Sequence, residues 1–523
     1  MFINLILFTL SRLLPVRRLD YLFNLSLPHS GRTIRMFSKI NESLFEYISF
    51  RKALFLFKRT SKLVPAYKTF LNKKNIQPGL IKSISDFNTV IPQTSKENYI
   101  RAFPVETRCL NGKIPSHGHI EESSGTSGKS TFWIRSRKEE TCNLGMVRAT
   151  MNHLYDIEKN GNWMILNCFM AGGWTGGLRF ASRLSSLGIV KNIGPDPQKT
   201  ISFITEMGMD FSYLLGGYPP FFIDLINYGN TLKGFNWKNY KINIFSGGEG
   251  FVEEWRKYVS SSLRQGSKIF SDYGAIDLDV GISTETPFTV AIRKLIKNDL
   301  NLRRDILSSD RLPSFIGQYS PQRFYIRETV NKDGLKEPEI TVLNLKSVSP
   351  MIKYVIGDEG GVIRFKDIAG KLENRGYSIA KVAEDFNIPA VVQFPLIYIY
   401  GRSDGTVTIN GSIISPSEIY EAILTDRELV SSINTFRLIV KSDTDNFIRL
   451  FIFLEMRKDV IISESLKDRS EKAIINKLLE SNECFRVNYL KNQISFKPVI
   501  EIITFKTGIF AEKDGLIKHN YFL

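Results

Sequence analysis

Unbroken apolar runs alternate with amphipathic stretches along most of this chain, and glycines stand where one gives way to the other. Residues 163–169 form one such run, which reads as a strand buried on both faces. Residues 242–245 form another and run into Gly247-Gly248-Glu249. Residues 251–263 follow as a helix with Trp255, Tyr258 and Val259 on one face. Residues 268–270 repeat the strand and lead to a glycine turn at Asp272-Tyr273-Gly274. Residues 138–153, 180–187 and 221–228 have helical spacing, while 131–134 and 188–190 read as short strands and another strand ends at Leu214-Leu215. This rhythm predicts an α/β fold, with sheets covered by helices. The first 75 residues read as helical. Residues 84–104 read as a short connection in which Ile91-Pro92 ends an extended piece. Beyond 404 the pattern is a strand, a helix over 416–424 opened by Pro416, strands over 436–440 and 447–455, a helix over 466–479 and a strand over 499–504. That is a small α+β unit.

At 523 residues the chain is long enough for more than one domain. The predicted division is a helical segment over 1–75 packed on a large domain, a core over 76–403 and a small C-terminal domain over 404–523. A hydrophobic content of 43% and a charged content of 24% are ordinary for a globular protein. The formal charge of +17 invites a nucleic-acid partner, but lysines and arginines are spread through the chain and no compact basic run with interleaved aromatics stands out. We expect no nucleic acid; a basic surface also suits polyanionic small molecules. Cys109, Cys142, Cys168 and Cys484 are far apart and lack metal spacing, so they read as free thiols of a reducing compartment, the cytoplasm. His117 and His119 alternate as a strand presents them, and no structural zinc is expected. The apolar start, residues 1–10, lacks a leading positive charge and a cleavage site, and it falls short of the ~20 residues of a membrane span. Arg12, Arg17 and Arg18 follow it, which fits an amphipathic helix lying on protein or, at most, in peripheral contact with a membrane.

The chemistry centres on Glu122-Ser123-Ser124-Gly125-Thr126-Ser127-Gly128-Lys129-Ser130-Thr131. Backbone N–H groups bared by glycine approach a phosphate closely, hydroxyls add donors, and one lysine adds a point charge. A Walker A loop requires glycine where Ser123 stands, which argues against a P-loop NTPase. A surface loop of small polar residues is the competing reading of this stretch alone. Further on, the glycines around Trp174 make a tight turn, either a sheet end or one wall of a pocket. The strand, Gly247-Gly248 turn and helix place backbone amides at the mouth of a parallel sheet, where ligands bind.

Together these stretches resemble the motifs of the adenylate-forming superfamily, the acyl-CoA synthetases, peptide-synthetase adenylation domains and luciferases. The 123–129 loop is similar to that family's phosphate loop, and its His117-x-His119 lead-in looks most like the phenylacetate-CoA ligase branch, as does Val64-Pro65-Ala66-Tyr67. Tyr273-Gly274-Ala275-Ile276-Asp277 resembles Y-G-x-[TS]-E, with aspartate for the acid and isoleucine for the hydroxyl residue. Tyr354-Val355-Ile356-Gly357-Asp358 resembles Y-[RK]-x-G-D. Gly401-Arg402-Ser403-Asp404, with Gly411 and Pro416-Ser417-Glu418-Ile419 following, resembles the G-R-x-D hinge and the segment after it.

The resemblance implies a large multi-sheet N-terminal domain with a small mobile C-terminal lid. It implies ATP, Mg²⁺ and coenzyme A as cofactors, and a carboxylic acid as substrate. Ser123, Ser124, Gly125, Thr126, Ser127, Gly128 and Lys129 would hold the β- and γ-phosphates, with Thr126 and Lys129 taking part in catalysis. Gly247, Gly248, Glu249, Asp272, Tyr273 and Gly274 would bind the nucleotide, Asp358 and Arg402 its ribose, and Asp277 the Mg²⁺. Lys518 would meet the charge at the α-phosphate, with Lys513 and Lys506 as alternatives, and Asp404 would be the hinge. Phe169, Trp174 and Tyr218 read as an apolar acid pocket with room left by Ala275, which favours an aryl or medium acyl acid over a charged one. A carrier protein or an amine or sugar acceptor in place of coenzyme A stays open. So do a homodimer, a non-catalytic nucleotide-binding homologue and a membrane-surface module.

Overall fold

The computed structural model describes residues 2–27, 36–123, 131–159, 161–170, 175–278, 280–403, 406–414, 416–443 and 447–511. Its strands in chain order are β1 Gly118–Ser123, β2 Thr131–Ser136, β3 Trp163–Asn167, β4 Ile189–Asn192, β5 Ser212–Gly217, β6 Lys241–Gly247, β7 Ile269–Ala275, β8 Val280–Thr284, β9 Phe315–Gln318, β10 Phe324–Val330, β11 Lys336–Val342, β12 Tyr354–Val355, β13 Asp358–Ile363, β14 Leu396–Arg402, β15 Val407–Ile409, β16 Ser412–Ile414, β17 Ile433–Ser442, β18 Ile448–Met456 and β19 Val499–Ile503. The fold is α/β. Its main sheet has nine strands in the order β13-β14-β9-β8-β7-β6-β5-β3-β4. Strands β4, β3, β5, β6 and β7 run parallel. Helices such as Pro219–Thr231 and Glu253–Ser262 supply the long crossovers that parallel strands require. The connection from β7 to β8 is only the turn Ile276–Leu278, so these two strands pair antiparallel. Register sets Gly217 beside Ser246 and Gly247 beside Asp272 at the carboxyl ends of β5 and β6.

The first 75 residues supply helices Phe2–Leu13, Val16–Ser26, Glu42–Leu63 and Pro65–Lys73. The third packs Ala53, Leu56 and Phe57 into one core with Ile340 of β11 and Tyr354 of β12. Among the described residues no helix is long and apolar enough to cross a membrane. The four cysteines are free. Residues 407–500 pack around a core of their own, in which Leu438, Ile452 and Leu454 of the β17-β18-β19 sheet meet Ile474 and Leu478 of helix Glu464–Ser481.

Local structure departs from the sequence expectation in four places. Residues 84–104 are not an extended connection: helix Ile84–Thr89 and the π-turn Lys96–Ile100 begin at Ser83 and Ser95, each with a complete capping box. The helix expected over 180–187 runs Thr175–Leu184. β7 does not stop at Gly274, because a bulge after Tyr273 takes up the glycine and pairing resumes. Helices Glu483–Lys491 and Gln493–Phe496 were not expected; Asn482 and Asn492 cap them.

The hairpin β1–β2 pairs along its whole length, from Gly118 opposite Ser136 to Ser123 opposite Thr131. A buried ion network fixes it. Glu121 accepts from Arg135 Nε at 2.9 Å and from Arg179 Nε at 2.5 Å, the latter on helix Thr175–Leu184. Arg179 also pairs with Glu140, which holds Arg183 Nη2 at 3.1 Å. Arg135 Nη2 donates to the carbonyl of Ile276 at 2.7 Å, so the hairpin is tied to the turn after β7. Burial works to raise the Glu121 carboxyl, but the His119 imidazole and the two guanidinium charges outweigh it and hold it down at about 2.

Replacing Glu121 with glutamine removes the buried carboxylate that Arg135 and Arg179 share, and leaves Arg179 with Glu140. The expected loss is ~3–5 kcal/mol, read by chemical denaturation. Because its folded value lies below its unfolded one, the wild-type contribution is full above roughly pH 5 and drains away as pH falls toward the folded value. The Glu121→Gln protein should lack this segment of the acid-stability curve.

Candidate active site

The carboxyl ends of β6 and β7 open into a cavity of about 1130 Å³. Tyr218, the residue after β5, forms part of its floor. A Cβ on Gly248 would lie 2.8 Å from the Tyr218 ring, at a φ of +83°, so only glycine lets the turn close over the ring. Gly411, in the turn between β15 and β16, approaches the same tyrosine from the other side. A Cβ there would lie 2.9 Å from the hydroxyl, at a φ of +78°. The Gly411 N–H donates to Glu249 Oε1 at 3.0 Å. Burial pushes the Glu249 carboxyl up to about 8, against the pull of the Gly411 and Asn410 amides. A second bond between the two parts of the chain runs from Ser495 Oγ to Asp224 Oδ1 at 2.9 Å.

Across the cavity Asp358 opens β13 directly after Gly357, whose φ is +89°. Asp358 and Arg402 are register partners on β13 and β14. Arg402 Nη1 donates to Asp358 Oδ1 at 2.9 Å, and the Tyr273 hydroxyl donates to Oδ2 at 2.6 Å. Burial and the neighbouring carboxylate hold Tyr273 well above the usual tyrosine range, so it stays a donor. The carboxylate is fixed by one donor on each oxygen, and each oxygen keeps a second lone pair for a ligand hydroxyl.

Asp277 is buried in the turn after β7. The Tyr354 hydroxyl donates to its Oδ2 at 2.5 Å, and Lys96 Nζ lies 3.6 Å from the same oxygen. Oδ1 accepts no hydrogen bond from a described side chain. Mg²⁺ commonly takes one or two protein carboxylates and fills its octahedron with phosphate oxygens and water. Asp277 Oδ1 fits that demand, whereas among the described residues no group of three or more His, Cys, Asp or Glu gathers to hold a metal by itself.

Phe169 meets Tyr218 edge-on at 5.1 Å and Phe180 at 5.5 Å, making an aromatic wall that Ala275 also lines. The lining also has a polar part, with Arg183, Asp272, Thr284, Gln318 and Arg323. The sequence reading contained only the apolar side. Of the residues singled out there, Gly247, Gly248, Glu249 and Gly274 line this cavity together with Asp272, Tyr273, Asp277, Asp358 and Arg402. Ser123 ends the β1 strand of the fixed hairpin. Ser124, Gly125, Thr126, Ser127, Gly128 and Lys129 lie outside the described residues, as do Trp174, Asp404, Lys513 and Lys518. Lys506 is described; its backbone N–H donates to Glu455 Oε1 at 2.9 Å. Lys96, Tyr354 and Thr284 were missed. Tyr354 stood in plain view as the first residue of the Tyr354–Asp358 motif, but nothing in the sequence marks Lys96.

No family model and no curated protein matches this chain. Solved structures do. One is a 2-hydroxyisobutyryl-CoA ligase in complex with 2-HIB-AMP and CoA in the thioesterification state, with a TM-score of 0.59, 14% identity and coverage of 91% of this chain and 88% of that one. The same ligase in an open conformation with 2-HIB-AMP and CoA gives 0.51 at 14% identity, covering 92% of each chain. In the postadenylation state with 2-HIB-AMP it gives 0.50 at 14% identity, covering 91% and 89%. At such identity the likeness is one of fold, and it spans nearly the whole of both chains. The chain shares its fold with that CoA ligase.

Proposed function

We propose that this protein uses ATP to adenylate a carboxylic acid and then passes the acyl group to a thiol, that of coenzyme A. The observation that carries the reading is the Asp358 carboxylate, held between Tyr273 and Arg402 on the rim of the cavity that also contains the Gly247-Gly248 turn and Asp277. A ribose presents two adjacent hydroxyls, and a carboxylate with one free lone pair on each oxygen accepts both. The glycine turn admits a flat base close to backbone. The 123–129 loop, at the end of the hairpin tied to Ile276, receives the β- and γ-phosphates. Asp277 would hold Mg²⁺, which would supply charge to offset that of the phosphates.

In the first half-reaction an oxygen of the acid attacks the α-phosphorus. The bond to the β-phosphate oxygen breaks and pyrophosphate leaves with that electron pair. Both partners are anions, so holding them in line and opposing their charge does most of the work. In the second, the thiol sulfur attacks the acyl carbonyl, AMP leaves, and the thiol proton passes to solvent. The 404–523 unit turns about Asp404 between the halves, bringing Lys518 to the α-phosphate in one arrangement and the Gly411 hairpin to the site in the other. Within the superfamily, the His117-x-His119 lead-in and Val64-Pro65-Ala66-Tyr67 place this chain beside the phenylacetate-CoA ligases in our reading.

ATP–pyrophosphate exchange over a broad panel of acids tests the first half, and product analysis with coenzyme A tests the second. Exchange with no acid while ATP still binds would leave a nucleotide-binding homologue. Asp358→Ala should raise the KM for ATP roughly 10- to 100-fold through loss of charged hydrogen bonds, as seen in exchange kinetics. Alanine replacements at Lys506, Lys513 and Lys518 should single out Lys518, with exchange reduced about 100-fold or more in that variant alone. Gly411→Val, which drives a side chain into Tyr218, should slow thioester formation far more than exchange when the two steps are timed separately.

A further inference from the structure

The polar wall of the cavity has one focus, and its meaning rests on the adenylation reading above. Gly247, Asp272, Thr284 and Gln318 are consecutive register partners across β6, β7, β8 and β9, and all four line the cavity. Asp272 Oδ1 accepts from the Thr284 hydroxyl at 2.6 Å. Oδ2 accepts no hydrogen bond from any described residue. Glycines keep the space around this carboxyl open. A Cβ on Gly281 would lie 3.2 Å from Oδ2, and one on Gly247 would meet Phe169 of the aromatic wall at 3.7 Å. The Ser320 hydroxyl, two residues beyond Gln318, is buried on the same cavity without a hydrogen-bond partner.

Several interior carboxylates are matched by protein cations. Glu121 has Arg135 and Arg179, Glu285 has Arg256 and Arg293, and Glu339 has Lys353. Among the described residues Asp272 makes no such pair. Burial lifts its carboxyl to about 7, against the pull of the Thr284 hydroxyl and the Arg183 charge. A half-buried carboxyl with half its acceptor capacity unused costs the fold free energy. It also faces the space where the acid enters, and its backbone is held firmly: Glu285 accepts the N–H of the preceding residue, Ser271, at 2.8 Å. Such a group is built for a donor that arrives with the ligand.

We propose that the acid adenylated here carries an amino or hydroxyl substituent whose hydrogen bond Asp272 Oδ2 accepts, so that Asp272 selects the substrate. The aromatic wall formed by Phe169, Phe180 and Tyr218 takes the hydrocarbon part of the same molecule. An acid of this kind is both greasy and donor-bearing. A bare hydrocarbon acid would leave Asp272 unanswered in a pocket emptied of water, and the pocket would reject it on that ground.

The test is pyrophosphate exchange with matched acids that share one carbon skeleton, aryl or aliphatic, and differ only in bearing hydrogen, hydroxyl or ammonium at one carbon. In the wild type the best donor-bearing acid should exceed its bare counterpart in kcat/KM by roughly tenfold or more. The hydroxyl and ammonium arms show which donor is read. Asp272→Ala should collapse that ratio toward one, and Thr284→Val, which frees the carboxyl to rotate, should lower it as well. The second variant decides the matter if the first does not fold. A wild-type preference for bare acids, or a ratio unmoved in the folded variants, overturns the inference and leaves adenylation standing. Exchange with no acid at all overturns the adenylation reading and takes the inference with it.

Discussion

A carboxylate buried between two guanidinium groups fastens the business end of this protein. Glu121 lies on β1, Arg135 on β2 and Arg179 on helix Thr175–Leu184, and Arg135 reaches on to the carbonyl of Ile276. Removing any one member unbalances charge in the interior, so the hairpin, the helix and the turn after β7 are tied to one another. A second network does the same lower down. Glu285 holds Arg256, Arg293 and the Ser271 amide, and thereby fixes β7 just before Asp272. Ligand-facing groups with spare hydrogen-bonding capacity sit on a frame whose own polar groups are matched.

The C-terminal unit meets that frame through a tyrosine and two glycines. The Tyr218 ring lies where side chains at both 248 and 411 would otherwise stand, and both residues have positive φ. Glu249 couples them by taking the Gly411 amide. Asp224 with Ser495 adds another polar bond, and Phe447, Ile448, Cys484 and Val487 pack on the apolar cores of the larger part.

The polar wall changes what the cavity is for. Phe169, Phe180 and Tyr218 alone describe a container for hydrocarbon. Asp272 and Thr284 add a direction to it, since a carboxyl oriented by a hydroxyl accepts from one side only. The sequence did contain Asp272, but as a neighbour of Tyr273 in a nucleotide motif. Its strand neighbour Thr284 is 12 residues away in sequence, and the pairing depends on a bulge at Tyr273 and Gly274.

Local order along the chain determined a good deal. Apolar runs ending in glycine announced the parallel strands, because such strands are buried on both faces and need bare backbone where a ligand approaches. Tyr354–Asp358 and Gly401–Asp404 could be read as a pair of motifs for the same reason: short-range spacing fixes which groups leave a strand end together. The two capping boxes at Ser83 and Ser95 were equally legible and went unread. Tertiary structure alone decided the rest. Lys96 reaches Asp277, Glu249 reaches Gly411 and Asp272 reaches Thr284 because strands and lobes far apart in sequence pack side by side. Burial, which decides whether a carboxylate is paired, strained or waiting for a ligand, is a property of that packing and has no counterpart in the order of residues.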